Sequence, residues 1–267
     1  MKGPELLEFF EDNWETEMGA WFPSERVVIR GRDLFRDFSS SSWLNYLYFV
    51  ITGKENEAFC HFVETMWIVT SSYPEPRIWP NRIAALAGTT RSTCALGVSA
   101  GLAACEATIY GLKPNIGAIA FLKKAIEYAG TTEQLQTFVL DYLASHRVIP
   151  GYGRPLARVD ERISPAVSLA KQSGFGDGEF LKLAFSIEDI LFSKKKMRMN
   201  IGAVTAAIAA DVGMSQNEYY QITILGYSGG MFASMIDAMT KPQGSFFPLK
   251  VSRTKFIGQQ EPRKWEE

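Results

Sequence analysis

Helix-favouring segments follow one another along most of this chain, and this succession constrains the fold more than any other feature. Helices are predicted over residues 43–51, 57–70, 116–128, 180–192 and 204–211, and residues 81–110 are predicted as one or two buried helices. Thr131 with Gln134, and Ser215 with Glu218, have the spacing of a capping box. Each pair predicts a helix start, because the two side chains satisfy backbone N–H groups in the first turn.

Strand signals are few in this sequence. Residues 26–30 read Arg-Val-Val-Ile-Arg and are a short strand candidate, and residues 246–251 are a weaker one. Proline and glycine mark loops at residues 73–80, 146–154 and 241–248. The predicted fold class is therefore all-α, with at most a small hairpin.

Length and charge narrow the class of protein. The 267 residues are enough for one large domain or two modest ones with an ample core. The net charge of −1 provides no basic field, so nucleic acid is not an expected partner. The one basic cluster, residues 194–198, is interpreted as a solvated loop or helix end, with a contact to the phosphates of a nucleotide-bearing cofactor as the alternative.

The cysteines indicate a reduced compartment. Cys60, Cys94 and Cys105 are an odd set without a Cys-x-x-Cys pattern. On one continuous helix Cys94 and Cys105 would stand about 16 Å apart, too far for a disulfide. The N-terminus lacks an apolar signal-peptide core, so a cytoplasmic protein is predicted.

Residues 219–236 carry no charge and are just long enough to suggest a membrane span. They contain Gly226, Gly229 and Gly230 and lack flanking basic anchors. This segment is predicted to be a buried helix at a domain or subunit interface, where small residues let backbones approach, so no membrane partner is expected.

Motifs that carry chemistry by themselves are scarce. The sequence has no phosphate-binding Walker loop and no serine elbow, and its only histidines are His61 and His146. No spacing of histidine, cysteine and carboxylates suggests a metal site. Arginines in loops are the remaining candidates, since a guanidinium grips a carboxylate or phosphate at two points, and a surface ion pair is the alternative for each. They are Arg77, Arg82, Arg154, Arg158, Arg162 and Arg253.

One loop resembles a family signature. Residues 150–154 read Pro-Gly-Tyr-Gly-Arg, and residues 160–162 read Asp-Glu-Arg. This is similar to the citrate synthase signature, Pro-Gly-Phe-Gly-His followed by Asp-Pro-Arg. The resemblance implies a two-domain helical fold, coenzyme A or an acyl-CoA as substrate, and a carboxylate contact from Arg162. It places coenzyme A against Pro150, Gly151, Tyr152 and Gly153.

The resemblance extends to both ends of the chain. Residues 27–34 look like the family's entry segment, and residues 47–53 resemble its Leu-Leu-x-Gly segment. Residues 248–258 resemble its closing Arg-Pro-x-x-x-Tyr-x-Gly. In the family that arginine reaches the partner's substrate, so the match implies that Arg253 binds a carboxylate in a homodimer or higher homo-oligomer.

The departures from the family fall on its catalytic groups. The first catalytic histidine matches Gly111, the second matches Arg154, and the aspartate base matches Gly202. A substrate-binding arginine matches Tyr227, and a His-Ala-Asp-His stretch matches residues 70–73. The family mechanism needs a base for the proton beside the thioester and hydrogen-bond donors for the developing oxyanions. Arg154 can stabilise an oxyanion but cannot exchange a proton near neutral pH.

Three functions remain open at this point. The first is an enzyme that makes or cleaves a carbon–carbon bond in an acyl-CoA, as a citryl-CoA lyase does, with Arg154 as its catalytic group and Arg162, Arg253 and Tyr227 binding the acid. The second is a catalytically silent homologue that binds a CoA ester or a carboxylate as a sensor or complex subunit. The third is an interaction scaffold. The enzyme is placed first because the family consists of enzymes.

The resemblance also divides the chain. Residues 1–111 and 222–267 are predicted as a large helical domain, and residues 112–221 as a small domain that binds coenzyme A and substrate. Closure of the small domain over the large one would complete the site.

Overall fold

The computed structural model describes residues 2–71, 73–109, 111–154, 159–255 and 257–258. Its helices are α1 (Pro4–Phe10), α2 (Leu34–Asp37), α3 (Trp43–Thr52), α4 (Glu57–Thr70), α5 (Trp79–Thr89), α6 (Cys94–Ala103), α7 (Lys113–Ala125), α8 (Thr132–His146), α9 (Ile163–Gln172), α10 (Glu179–Lys195), α11 (Ile201–Asp211), α12 (Gln216–Thr223) and α13 (Ser228–Met239). Short 3₁₀ turns occupy Ala104–Glu106, Ile126–Tyr128, Ile224–Tyr227 and Val251–Arg253. The predicted all-α class is confirmed.

A small antiparallel sheet precedes the main helices. Its strands are β1 (Gly19–Phe22), β2 (Arg26–Ile29) and β3 (Arg32–Asp33), in the order β1-β2-β3. The strand predicted at residues 26–30 is confirmed as β2. The weaker strand predicted at residues 246–251 is wrong, because the described chain is irregular there and turns as a 3₁₀ helix at Val251–Arg253.

Side-chain caps fix the starts of several helices. The hydroxyl of Ser42 accepts a hydrogen bond from the Asn45 N–H at the start of α3. Ser215 and Glu218 form the full reciprocal capping box at α12. These contacts supply partners for N–H groups that have none within the helix, which is why the sequence marks these starts correctly.

The single helix predicted over residues 219–236 is wrong. Helix α12 ends at Thr223, the chain tightens into a 3₁₀ turn, and α13 begins at Ser228. At this break Gly226 lies against Trp67, where an added Cβ would stand 2.6 Å from the indole ring. Among the helices that the structure describes, none is long and apolar enough to cross a membrane.

Buried side chains form two clusters. The main cluster joins α3 and α4 with α7 to α12 and includes Phe62 and Leu122. The second is small and holds Ala84, Met231 and Met235 between α5, α6 and α13. The main cluster thus has members on both sides of residue 111, and the division into two domains stays a prediction.

Candidate functional site

A cavity of about 990 Å³ lies between α4, the start of α7, the loop at residues 148–154, α11 and α12. This volume is at the upper end of the range for ligand sites. The cavity wall includes the four residues predicted to contact coenzyme A, together with Arg154, Arg162 and Tyr227. The structure therefore brings together these predicted site residues and the candidate Arg77, whereas Arg82 and Arg253 are not part of the wall. Arg158 lies outside the described residues.

The loop of residues 150–153 is held by backbone contacts. Gly151 has φ of +88° and Gly153 has φ of +83°, a region that other residues rarely adopt. The Gly153 N–H donates to the Arg198 carbonyl at 2.7 Å, and the Asn200 N–H donates to the Gly151 carbonyl at 2.9 Å. These bonds fix the loop beside the start of α11, so the two glycines are required by its geometry.

The Tyr152 side chain fixes the loop to helix α10. Its side chain is buried, and its hydroxyl donates a 2.9 Å hydrogen bond to the Ala184 carbonyl. Burial, with the charge of Glu188 adding to it, raises the pKa of Tyr152 well above its usual value. The phenol therefore stays protonated, and its hydrogen bond is already made within the protein.

Asp160 and Arg162 form a two-point ion pair behind the cavity. Arg162 Nε donates to Asp160 Oδ1 at 2.8 Å, and Nη2 donates to Oδ2 at 2.8 Å. Arg162 Nη1 donates to the Thr70 carbonyl at 2.8 Å. Asp160 Oδ2 also accepts from the Ile201 N–H at 2.9 Å, so the pair connects the end of α4 to the start of α11.

The ion pair shifts the pKa of both Asp160 and Arg162. Burial raises the pKa of Asp160, but the hydrogen bonds and the charge of Arg162 outweigh it, and the net shift is downward. Burial lowers the pKa of Arg162, and the bonds to Asp160 reverse this into a net rise. Because Asp160 occupies its fork, Arg162 offers a substrate only its remaining N–H groups, and its predicted role in carboxylate binding stays a prediction.

Arg154 lies at the rim of the cavity. Its Nη1 donates to the Val159 carbonyl at 2.8 Å and to Glu161 Oε2 at 2.7 Å, and it stands 3.8 Å from Asp160 Oδ1. Its side chain is 22% exposed, so solvent and a ligand both reach it. These contacts fix the guanidinium on the cavity wall, and its catalytic role stays a prediction.

The three positions that the sequence resemblance matches to the family's catalytic groups all line this cavity. They are Gly111, Arg154 and Gly202. An added Cβ would stand 2.6 Å from the Ala107 carbonyl oxygen at Gly111 and 2.7 Å from Asn115 Oδ1 at Gly202. At Gly111 the close atoms are backbone carbonyl oxygens, so a side chain there requires the backbone to move. At Gly202 the close atoms belong to asparagine side chains, which can turn aside.

Other side chains supply the titratable groups of the wall. Glu75 and Glu161 are the carboxylates among the described lining residues, and each is in an ion pair at 2.7 Å, with Arg77 and Arg154 respectively. Hydrogen bonds from these arginines lower the pKa of both carboxyls. Lys113 lines the wall as well. The sequence analysis singled out neither glutamate nor Lys113 as a site residue.

Tyr227 is the remaining polar group of interest. Its side chain is half-buried on the cavity wall. Burial is the main cause that raises the pKa of its hydroxyl, and the nearby Cys105 and Tyr219 add to this rise. It is therefore a hydrogen-bond donor at neutral pH. Both histidines are exposed and lie outside the wall, and His146 stacks on Tyr142 with ring centres 4.1 Å apart.

Arg253 lies apart from the cavity of its own chain. It is exposed, in the 3₁₀ turn Val251–Arg253. Within the part of the chain that the structure describes, no group of three or more histidine, cysteine or carboxylate side chains is placed to hold a metal ion.

Comparison with known proteins identifies the family. The model of the citrate synthase C-terminal domain matches residues 81–246, which is more than half of the chain. The chain therefore belongs to the citrate synthase family, and the resemblance of the loop is confirmed. A search of curated protein sequences finds no match.

Solved structures share the fold. The chain superimposes on citryl-CoA lyase from Hydrogenobacter thermophilus with a TM-score of 0.77 and 21% identity, covering 95% of this chain and 97% of that one. For ATP citrate lyase from Methanosaeta concilii in complex with (3S)-citryl-CoA the TM-score is 0.74 at 17% identity, over 98% of this chain and 45% of that one. For citrate synthase from Thermotoga maritima it is 0.64 at 15% identity, over 84% and 59%.

Proposed function

We propose that this protein binds a coenzyme A thioester and a di- or tricarboxylate in the cavity, and makes or cleaves a carbon–carbon bond between them. The observation that carries the proposal is that one cavity gathers the loop of residues 150–153, Arg154 and the places of the family's catalytic groups. The similarity to a citryl-CoA lyase of nearly the same extent favours cleavage of a citryl-CoA-like thioester.

The charges of the wall suit such ligands. Three arginines and Lys113 are the basic side chains among the described lining residues, and each arginine is in an ion pair, with Glu75, Glu161 or Asp160. In cleavage, the substrate hydroxyl loses its proton to water and becomes the carbonyl of the keto acid, while the electrons of the broken carbon–carbon bond form the thioester enolate. The enolate then takes a proton from water to give the released thioester. Arg154 would stabilise the enolate oxygen through its charge, and the protonated Tyr227 would donate a hydrogen bond to a second oxygen. Arg162 would contribute its remaining N–H groups to a carboxylate.

A second candidate is a homologue that binds the same ligands without turnover. It is favoured by the state of the two lining carboxylates, since a lowered pKa makes Glu75 and Glu161 weak bases. In this case the protein would act as a sensor or as a subunit of a larger complex.

A titration with coenzyme A, acetyl-CoA and citryl-CoA tests the proposal, with the heat of binding measured and the keto acid product assayed in the same samples. We expect all three to bind and only citryl-CoA to yield a keto acid, together with a shorter CoA thioester. Binding without any change of citryl-CoA in a chromatographic assay would select the silent homologue. An absence of binding for all three would overturn both candidates.

We also propose a homodimer. Phe232, Ile236 and Met239 follow one another at helical spacing on α13 and are 43%, 59% and 46% exposed. An exposed apolar stripe of this kind is typical of an interface. Leu86 on α5 and Leu96 on α6, in the same group of helices, are also exposed. In such a dimer Arg253, which does not reach the cavity of its own chain, would serve the partner's cavity.

Mixing two variants tests this arrangement. Arg253→Ala should weaken acid binding by about 2–4 kcal/mol, the usual effect of removing one member of a buried charge pair. A one-to-one mixture of Arg253→Ala and Arg154→Ala chains, dissociated and reassociated, should recover roughly a quarter of the wild-type activity towards citryl-CoA, because half of the dimers then hold one intact site. No recovery from a mixture shown to form mixed dimers would exclude a role for Arg253 in the partner's cavity.

A further inference from the structure

We infer that the cavity takes a thioester whose acyl group is an extended apolar chain, longer than an acetyl group. This inference rests on the proposed binding of a CoA thioester and specifies its acyl part. The wall has two regions of different chemistry, and each is fixed by particular contacts.

The polar region is where two helix ends meet. Arg162 Nη1 donates to the Thr70 carbonyl at the end of α4, and Asp160, paired with Arg162, accepts from the Ile201 N–H at the start of α11. Thr70 and Gly202 both line the cavity at this point. The Asp160–Arg162 ion pair therefore lies in this polar region of the wall.

From this point the wall follows both helices away from the charges. Along α4 the lining runs from Thr70 back to Phe59, which is about 16 Å at the helical rise per residue. Along α11 it runs from Gly202 to Ala209, about 10 Å. The lining thus extends along both helices away from the helix ends where Arg162 and Asp160 lie.

The region away from the charges is mainly apolar. Val63 and Trp67 line it as half-buried side chains and pack against the main buried cluster, which includes Phe62. Thr205 and Tyr219 line it as well, and their hydroxyls hydrogen-bond each other at 2.8 Å. None of the described charged residues of the wall lies on α4, α11 or α12. A small polyacid gains nothing from such a surface, whereas a hydrocarbon chain gains roughly fourfold in affinity for each methylene group that it buries.

The shape and the chemistry together define the ligand class. At the polar end, Lys113 and the N–H groups of the paired arginines can contact the thioester and its phosphates, and the apolar end removes a hydrocarbon chain from water. A free fatty acid also has a hydrocarbon chain and a negative charge, so the experiment must distinguish a CoA thioester from a free acid.

Isothermal titration with coenzyme A, acetyl-CoA, octanoyl-CoA and octanoate makes the separation. We expect octanoyl-CoA to bind at least tenfold more tightly than acetyl-CoA, because six more methylene groups enter the apolar region. Equal affinities for the two thioesters would overturn the inference while leaving the proposed function intact. If none of the CoA compounds binds, the proposed function fails too. Octanoate binding as tightly as octanoyl-CoA would replace the thioester by a free acid.

A matched pair of variants locates the chain. Val63 lines the cavity about two helical turns from Thr70, whereas Ile68 on the same helix is 71% exposed and outside the wall. Val63→Trp should abolish the advantage of octanoyl-CoA and keep the affinity for coenzyme A, and Ile68→Trp should change neither. Val63→Phe, a smaller block, replaces the tryptophan variant if circular dichroism shows lost helix. An unchanged preference in a folded Val63 variant would refute the inference.

Discussion

Replacing Asp160 by asparagine is expected to lower the free energy of unfolding by about 3–5 kcal/mol, the usual loss when one partner of a buried ion pair is removed. The Asp160 side chain is fully buried, while that of Arg162 is 20% exposed. The asparagine leaves Arg162 with an uncompensated charge and weakens the contact to the Ile201 N–H. Urea denaturation followed by circular dichroism measures the difference.

Two comparisons show whether the effect belongs to the buried pair. Asp237→Asn removes a carboxylate that pairs with Lys241 on the surface and is 63% exposed, so it should change stability by less than about 1 kcal/mol. Asp160→Asn combined with Arg162→Met should recover part of the loss, since no unpaired charge remains. A loss below about 1 kcal/mol for Asp160→Asn would contradict the importance of the pair.

The same pair predicts an acid dependence. The folded-state pKa of Asp160 lies below the ordinary value of 3.8, so its contribution is present above about pH 4 and is lost as the pH falls through the folded-state pKa. Unfolding measured between pH 7 and pH 2 should therefore show a steeper acid loss for the wild type than for Asp160→Asn. Parallel curves for the two proteins would argue against a lowered pKa.

The sequence predicted the helices well where local signals are strong. Helix α4 occupies residues 57–70 as predicted, because its apolar pattern and its cap at Asn56 both act within a few residues. The helix predicted over residues 219–236 was wrong, because the helix is interrupted where Gly226 packs against Trp67, which is distant in the sequence. Tertiary contacts of this kind leave no trace in the local pattern.

The residues of the candidate site were likewise predicted where a local motif marks them and missed where tertiary packing brings them together. Family resemblance identified the loop of residues 150–153, and the glycine conformations explain why its pattern is recognisable. The pairing of Arg162 with Asp160 was not predicted, although the two residues stand two apart, because the same arginine could equally have faced a ligand. Glu75 and Lys113 reach the wall only through the packing of their helices and loops, so no motif identifies them.

Arg154→Ala is expected to lower kcat for citryl-CoA cleavage by on the order of 10²–10³, the effect of removing one donor from an oxyanion site. The charge of Arg154 matters most when the enolate forms, so the loss should appear in kcat with little change in KM. Arg154→Lys should restore part of the rate, because a cation remains but the two-point fork does not. Steady-state kinetics with a coupled assay for the keto acid measures all three proteins.

Arg198→Ala provides the control for this loss. Arg198 stands next to the same loop, and its backbone carbonyl accepts from Gly153, yet its side chain lies over Phe192 outside the described wall of the cavity. If the rate depends on charge inside the cavity, Arg198→Ala keeps wild-type turnover while Arg154→Ala loses it. If both variants lose activity equally, the loop as a whole supports catalysis and Arg154 has no special part. If Arg154→Ala is as active as the wild type, the catalytic role assigned to Arg154 is wrong. The oxyanion would then be stabilised by another hydrogen-bond donor of the wall. Tyr227 is the first candidate, because its raised pKa keeps the hydroxyl protonated.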